Sequence, residues 1–514
     1  MLNSLKLKNA THDNVDIARM FDVRAGIRFC LTMLVALACV PRPSRALPDA
    51  ETTVQGLHIR SCTVGKAQIP AECGVFGVFE NRRSQKGRII GLHLVLLKAS
   101  RPSQHVIAFL AGGPGQSATG FAESVADGQF AKALSALRAD YNILFVDNRG
   151  MGSSNPFKCD FTPVSDPSVY FLQLWPDTLV SACRVASSSS HDLAQYNTSN
   201  AVDDLDDIRS SLHYEKLILY GASDGTFFSL VYMRRHPESV DAAVLIGVAP
   251  PGFQPLPGAP EGAQKALDDL VRDCKRDAAC NAHFPNFASH FYAVLRRFNI
   301  GLVAMKIRSP NTHEWQIARL SKEVFVDELR QVLDDPNNAA YIPYIIEKAY
   351  RGEYTPLSEL ISAVSLGLAH ALNWGAFLSY SCSDWIPFVS SSEMTAAAKG
   401  SFATNLRYLA QRRACSIWNV PPMPSNFNAP VHSDVPVLMI SGSDDPATPP
   451  HYAREELPYL PNGKLIIVQG AGHAAELPCT DRLVVQFVRQ RSARSLPTSL
   501  CRGSFRRPPF ATSD

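Results

Sequence analysis

The feature that most constrains this chain is the stretch Leu217-Ile218-Leu219-Tyr220-Gly221-Ala222-Ser223-Asp224-Gly225-Thr226. The apolar run over 216–220 predicts a buried strand. Residues 227–235 predict a helix, stopped by Pro237. Between them Gly221, Ser223 and Gly225 form Gly-x-Ser-x-Gly. A serine on so sharp a strand-to-helix turn sits in strained backbone, with its hydroxyl held above the sheet edge. Bulk two residues to either side would collide there, so glycine is required at both. The helix behind Ser223 also presents free N–H groups and the positive end of its dipole to a developing oxyanion.

The rest of the chain supplies a sheet for this turn. Residues 88–97, 105–110, 142–146, 242–248, 435–441 and 464–468 read as further strands. Residues 199–212 read as a helix with Val202, Leu205, Ile208 and Leu212 on one face. Asp203, Asp204, Asp206 and Asp207 crowd its first turns and are expected to form a solvated face. Strands alternating with helices imply an α/β fold with a mostly parallel sheet covered by helices. With 514 residues, 46% of them hydrophobic, the chain can bury a large core. From Pro250 to about Ala429 the alternation stops. Helical stretches at 262–276, 321–333 and 341–350 take over, bordered by proline-rich segments. The expected organisation is a signal peptide over 1–46, a sheet domain over 47–255, a helical cap over 256–430, and the sheet domain resumed over 431–514 with a basic tail.

The front of the chain reads as an export signal. An apolar core over 29–40 follows Arg24 and Arg28 and precedes Ser44-Arg45-Ala46, with cleavage expected after Ala46. Met20 is an alternative start, and a second export reading makes Cys39 a lipidated cysteine. The expected location is therefore secreted or periplasmic. Ten further cysteines fall in close pairs: Cys62 with Cys73, Cys159 with Cys183, Cys274 with Cys280, Cys382 with Cys415, and Cys479 with Cys501. Exported chains keep such pairs as disulfides, although sequence alone leaves the connectivity open. No zinc-ligand spacing is present, and no metal or organic cofactor is expected. A net charge of +3 gives no broad basic surface for nucleic acid. No apolar stretch reaches the roughly 18 residues of a membrane span. The oligomeric state is left open.

Three other strand ends carry chemistry. The strand at 105–110 runs into Ala111-Gly112-Gly113-Pro114-Gly115-Gln116-Ser117, a glycine cluster able to aim backbone N–H groups at a ligand. The strand ending at Ser441 runs into Gly442-Ser443-Asp444-Asp445-Pro446-Ala447-Thr448-Pro449-Pro450. The strand ending at Val468 runs into Gln469-Gly470-Ala471-Gly472-His473. Serine hydrolysis needs a base within reach of the hydroxyl and a carboxylate to orient that base. In sheet hydrolases these follow in the order Ser, acid, His, each just beyond a strand. Ser223, Asp445 and His473 fill that order.

These motifs resemble the α/β-hydrolase superfamily, in the branch of prolyl and tripeptidyl aminopeptidases. The residues carrying the resemblance are Gly112-Gly113-Pro114-Gly115, Asp147-Asn148-Arg149-Gly150-Met151-Gly152-Ser153, the serine turn, His236-Pro237-Glu238, and the 442–450 and 470–473 loops. It extends from about Ser61 to Cys501. The resemblance implies Ser223 as nucleophile, His473 as base and Asp445 as the triad acid, directly before the Pro-x-Thr-Pro-Pro turn. It implies an oxyanion hole from the N–H groups of Gly113 and Asp224. It also implies a cap carboxylate for the substrate's amino group, which relatives carry in Cys-x-Glu and this chain carries as Asp384 in Cys382-Ser383-Asp384. Ala111 before the glycines and Asp224 after the nucleophile depart from the pattern, and the Asp224 side chain is expected to point away from the oxyanion. The expected activity is cleavage of a short peptide near its amino end. The alternatives are an esterase acting on a small ester and a non-catalytic binding protein of the same fold.

Overall fold

The computed structural model describes residues 53–512 apart from 158, 162–167, 253–258, 309–313 and 474. The expected signal over 1–46, with Met20 and Cys39, lies outside the described residues, as does the 255/256 boundary. The strands are β1 (Leu57–Val64), β2 (Ile69–Phe79), β3 (Ile89–Leu97), β4 (Val106–Leu110), β5 (Asn142–Val146), β6 (Leu217–Ala222), β7 (Val240–Ile246), β8 (Val303–Arg308), β9 (Trp315–Leu320), β10 (Val437–Gly442) and β11 (Gly463–Val468). Among the described residues nine of them form one sheet in the order β1-β2-β3-β5-β4-β6-β7-β10-β11. From β5 to β11 every pairing is parallel, and β1, β2, β3 and β5 pair antiparallel.

The central strands are continuous apolar runs because both of their faces are covered. Every residue of β4, β5, β6 and β10 is buried. Successive side chains enter opposite layers: Leu217 and Leu219 join one core, Ile218 and Tyr220 the other. The segment before β3 holds none of the strands read from the sequence, and the structure adds two there. β1 and β2 form an antiparallel pair at the sheet edge, joined by the Cys62–Cys73 disulfide. β1 escapes the apolar pattern because it is an edge strand whose residues are mostly exposed.

The longer helices are α1 (Asp177–Ser188), α2 (Thr198–Ser211), α3 (Asp224–Arg235), α4 (Pro260–Arg276), α5 (Phe287–Ile300), α6 (Lys322–Leu333), α7 (Ile342–Tyr350), α8 (Thr355–Ala371), α9 (Trp374–Asp384), α10 (Leu406–Trp418) and α11 (Pro478–Gln490). Helices α4 to α10 all fall between β7 and β10. That stretch also holds something its sequence does not announce, an antiparallel hairpin of β8 and β9. Among the described residues no helix is long and apolar enough to cross a membrane.

The cysteines pair as neighbours in sequence: Cys62–Cys73, Cys159–Cys183, Cys274–Cys280, Cys382–Cys415 and Cys479–Cys501. The last of these fastens the tail to α11, and Arg507 in that tail forms ion pairs with Asp273 and Asp444.

The α2 aspartates need a second correction. They are not a solvated face but a set of counter-charges. Arg149, fully buried, donates from Nε and Nη2 to the two oxygens of Asp204 at 2.7 Å each. Arg82 reaches Asp204 and Asp207. Asp203 takes Arg235 and His236, and Asp206 takes Arg209 and Tyr232. A buried guanidinium without such a partner would be strongly destabilising, so the Asp-Asn-Arg-Gly loop and the acidic helix require one another.

Candidate active site

The serine turn is built by close backbone packing. Ser223 has φ 55° and ψ −121°, a sparsely populated conformation held between β6 and α3. Its N–H donates to Ile246 O at 2.8 Å, and its carbonyl accepts from Thr226 N–H and Oγ1 at 2.8 and 2.6 Å. A Cβ on Gly225 would stand 2.0 Å from Leu110 O, and one on Gly221 would stand 2.4 Å from Gly225 O. Both glycines are therefore sterically required. The helix begins at Asp224, three residues earlier than the apolar pattern shows, so its first turn starts immediately behind the serine.

The three residues singled out from the strand ends come together. His473 Nε2 lies 2.9 Å from Ser223 Oγ. His473 Nδ1 lies 2.9 and 3.0 Å from the two oxygens of Asp445. An ionised carboxylate only accepts, so Nδ1 carries the hydrogen and Nε2 is left to accept from the serine. Asp445 is held on all sides: Oδ1 accepts from the N–H groups of Ala447 and Thr448 at 2.8 Å, and Oδ2 accepts from Thr448 Oγ1 at 2.8 Å. Burial works to raise the Asp445 carboxyl, but the charge of His473 and these hydrogen bonds outweigh it and hold it below the usual range. Burial likewise works to lower His473, and the Asp445 charge and hydrogen bond, with a contribution from Asp334, carry it above its ordinary value. The neighbouring Asp444 faces elsewhere, accepting from Ser443 Oγ at 2.7 Å and from Arg507 at 3.1 Å.

The glycine loop after β4 lies against the serine. A Cβ on Gly112 would come 3.1 Å from Ser223 Cβ. The loop is held from two sides. Asp147 at the end of β5 accepts from Ser117 Oγ, Thr119 N–H and Oγ1, and Ser153 N–H at 2.7–3.0 Å. From the segment between α8 and α9, the backbone N–H and Nδ2 of Asn373 donate to Gly115 O at 2.9 and 3.1 Å, and Leu372 bridges to Gln116. Among the described residues no acceptor is bonded to the backbone N–H of Gly113 or Asp224.

Asp384, the last residue of α9, is buried. Its Oδ2 accepts from Thr198 N–H at 2.9 Å, at the start of α2, and its Oδ1 from Ser383 Oγ at 2.5 Å. Burial pushes it up to about 6 against those two bonds. It does not stand alone: the half-buried Asp224 lies within electrostatic reach of it. Asp224 has no hydrogen-bond partner among the described residues, and burial followed by the Asp384 charge pushes it well above the usual carboxylate range.

Sequence reasoning missed Asp334, which meets His473 from the turn after α6, and Asn373, which braces the glycine loop. Asp334 lies just past the helical stretch at 321–333, where nothing local marks a long-range contact. Among the described residues no group of three or more His, Cys, Asp or Glu is placed to hold a metal ion.

A family model described as alpha/beta hydrolase fold matches residues 106–477. Serine protease Hip1 of Mycobacterium tuberculosis is 25% identical over 518 residues, which span 92% of this chain and 96% of that protein. Proline iminopeptidase of Aeromonas sobria is 25% identical over 250 residues, 48% of this chain and 49% of its own length. Among solved structures, the proline iminopeptidase of Mycobacterium smegmatis is 14% identical with a TM-score of 0.35, covering 84% of this chain and 98% of that one.

Proposed function

The chain belongs to the α/β-hydrolase fold family, and from that premise we propose that it is an exported serine peptidase that cleaves short peptides near their amino end through Ser223, His473 and Asp445. The observation that carries this reading is the unbroken relay from Asp445 through His473 to the Ser223 hydroxyl. His473 Nε2 takes the proton as Ser223 Oγ bonds to the scissile carbonyl carbon. The carbonyl oxygen becomes an oxyanion between the N–H groups of Gly113 and Asp224, at the positive end of α3. Collapse breaks the C–N bond, and His473 returns its proton to the leaving amine. Water, deprotonated by His473, attacks the acyl carbon. The second collapse frees the acid and restores the Ser223 hydroxyl. Asp445 keeps the ring in the tautomer each step needs.

The names of the relatives, a serine protease and proline iminopeptidases, support peptides as the substrate class. So does the carboxyl pair beside the serine. Burial raises both Asp224 and Asp384, the Asp384 charge adds to the rise of Asp224, and no cation offsets the rise of either. A protonated amino terminus would supply the missing counter-charge, with Asp224 meeting it and Asp384 behind. The five disulfides and the apolar segment over 29–40 support export.

The test compares one tripeptidyl anilide with a free and with an acetylated amino end. A charge-assisted bond contributes about 1.5–3 kcal/mol, so the free amine is expected to be preferred about ten- to a hundredfold in kcat/KM. Asp384→Asn and Asp224→Asn are each expected to shrink that preference. Equal rates on both anilides, with faster turnover of simple esters, would replace this reading with a carboxylesterase.

A further inference from the structure

The β8–β9 hairpin presents an outer face that its surroundings do not explain. Its inner face is ordinary: Met305, Ile307, Ala318 and Leu320 are buried in the main core, and Ser358 Oγ of α8 donates to Lys306 O at 2.6 Å. A sheet with one buried face ordinarily turns polar side chains to water on the other. Here the outward positions of β9 are Trp315, Ile317 and Arg319, with Trp315 53% and Ile317 64% exposed. Opposite them on β8, Lys306 pairs in register with Ile317 and Ala304 with Arg319. The chain entering the hairpin adds to the same region. Ile300 at the end of α5 is 90% exposed and Leu302 is 50% exposed. Arg296 is exposed one turn before Ile300 on the same helix face.

Charge decides what such a face fits. Lys306, Arg319 and Arg296 are exposed, and among the described residues none of them has an acidic partner. Exposed Trp and Ile interleaved with unpaired Lys and Arg match a lipid interface. The indole and aliphatic groups enter the boundary between headgroups and acyl chains, and the cations meet anionic headgroups. A second copy of the same face would bring like charges together. A purely aqueous role leaves four large apolar side chains in water, beyond the scattered single residues that are normal on a surface.

We propose that the outer face of the β8–β9 hairpin, with the end of α5, docks the protein on an anionic phospholipid surface. The docking would hold the cap at the membrane while the bulk of the sheet domain stays in water. It does not depend on the substrate of the Ser223 site.

The test is co-sedimentation of the protein, as exported by its expression host and with its N-terminus checked by mass spectrometry, with vesicles of phosphatidylcholine alone or mixed with phosphatidylglycerol. Three cations near an anionic surface predict partition about a hundredfold stronger onto the mixed vesicles, weakened by salt. Two double variants, Trp315→Ser/Ile317→Ser and Lys306→Glu/Arg319→Glu, are each expected to lose at least about tenfold in partition with an unchanged thermal midpoint. Equal partition of wild type and both variants overturns the proposal, as does failure of the wild type to bind the mixed vesicles. A concentration-dependent dimer in sedimentation velocity, abolished in Trp315→Ser/Ile317→Ser and unaccompanied by vesicle binding, also overturns it and assigns the face to a second copy.

Discussion

The backbone N–H of His473 donates to the carbonyl oxygen of Asp334 at 2.9 Å. The contact bonds the histidine loop after β11 to the turn that follows α6. It is close enough that a Cβ on Gly472 would stand 2.2 Å from Asp334 O, so the turn after α6 requires the glycine before the histidine.

The same contact brings the Asp334 carboxyl within electrostatic reach of the imidazole, where it helps raise His473 while Arg330 opposes it. His473 must be neutral to take the serine proton, so activity rises with pH as the ring deprotonates. Because the ring is raised above its ordinary value, the acid limb of the kcat/KM profile is expected at higher pH than an unperturbed histidine would give. In Asp334→Asn the main-chain bond remains and the charge is lost. The acid limb is expected to move to lower pH while the plateau rate stays near wild type. A pH profile of both proteins on one anilide checks this, and an unmoved limb would remove Asp334 from the electrostatics of the site.

The two adjacent aspartates are expected to separate in their effects. Asp445 bonds His473 Nδ1, whereas Asp444 is spent on Ser443, Arg507 and Lys265. Asp445→Asn keeps the shape but stabilises the wrong tautomer, which costs on the order of ten-thousandfold in turnover. Asp444→Asn should retain most activity and lose some anchoring of the tail. Kinetics on the two variants, with thermal midpoints alongside, distinguish them; the opposite ranking would put the acid one residue earlier.

Gly225→Ala is expected to damage the fold before the chemistry. The new methyl would press on the backbone carbonyl of Leu110 at 2.0 Å, in β4 at the centre of the sheet. Backbone there cannot give way as a flexible side chain would, so the change should cost at least about 1–3 kcal/mol. Urea unfolding should show a lowered midpoint with an unchanged slope, and an unchanged midpoint would mean that the turn is looser than its packing.

What could be read from the sequence was local. The serine turn declared itself because a strand, two glycines and a helix lie within 20 residues. Asp445 and His473 could be singled out because each stands just past an apolar strand. The features that escaped depend on partners far along the chain. Asp204 looked like surface because Arg149 and Arg82 are remote in sequence. Asp384 was singled out for the substrate's amino group, and its bonds to Thr198 and Ser383 could not be read because Thr198 is remote in sequence. β1 was passed over because an edge strand keeps a polar face. The β8–β9 hairpin was hidden among helices because its strands are six residues each.

The most direct test of the account is where a fluorophosphonate bonds. The probe phosphonylates a serine oxygen only where a base removes its proton, so the relay through His473 predicts one adduct, on Ser223, found by peptide mapping. Ser223→Ala should carry no adduct and lose on the order of a millionfold in turnover, with its thermal midpoint unchanged. An adduct on another serine, or full labelling of Ser223→Ala, would contradict the account.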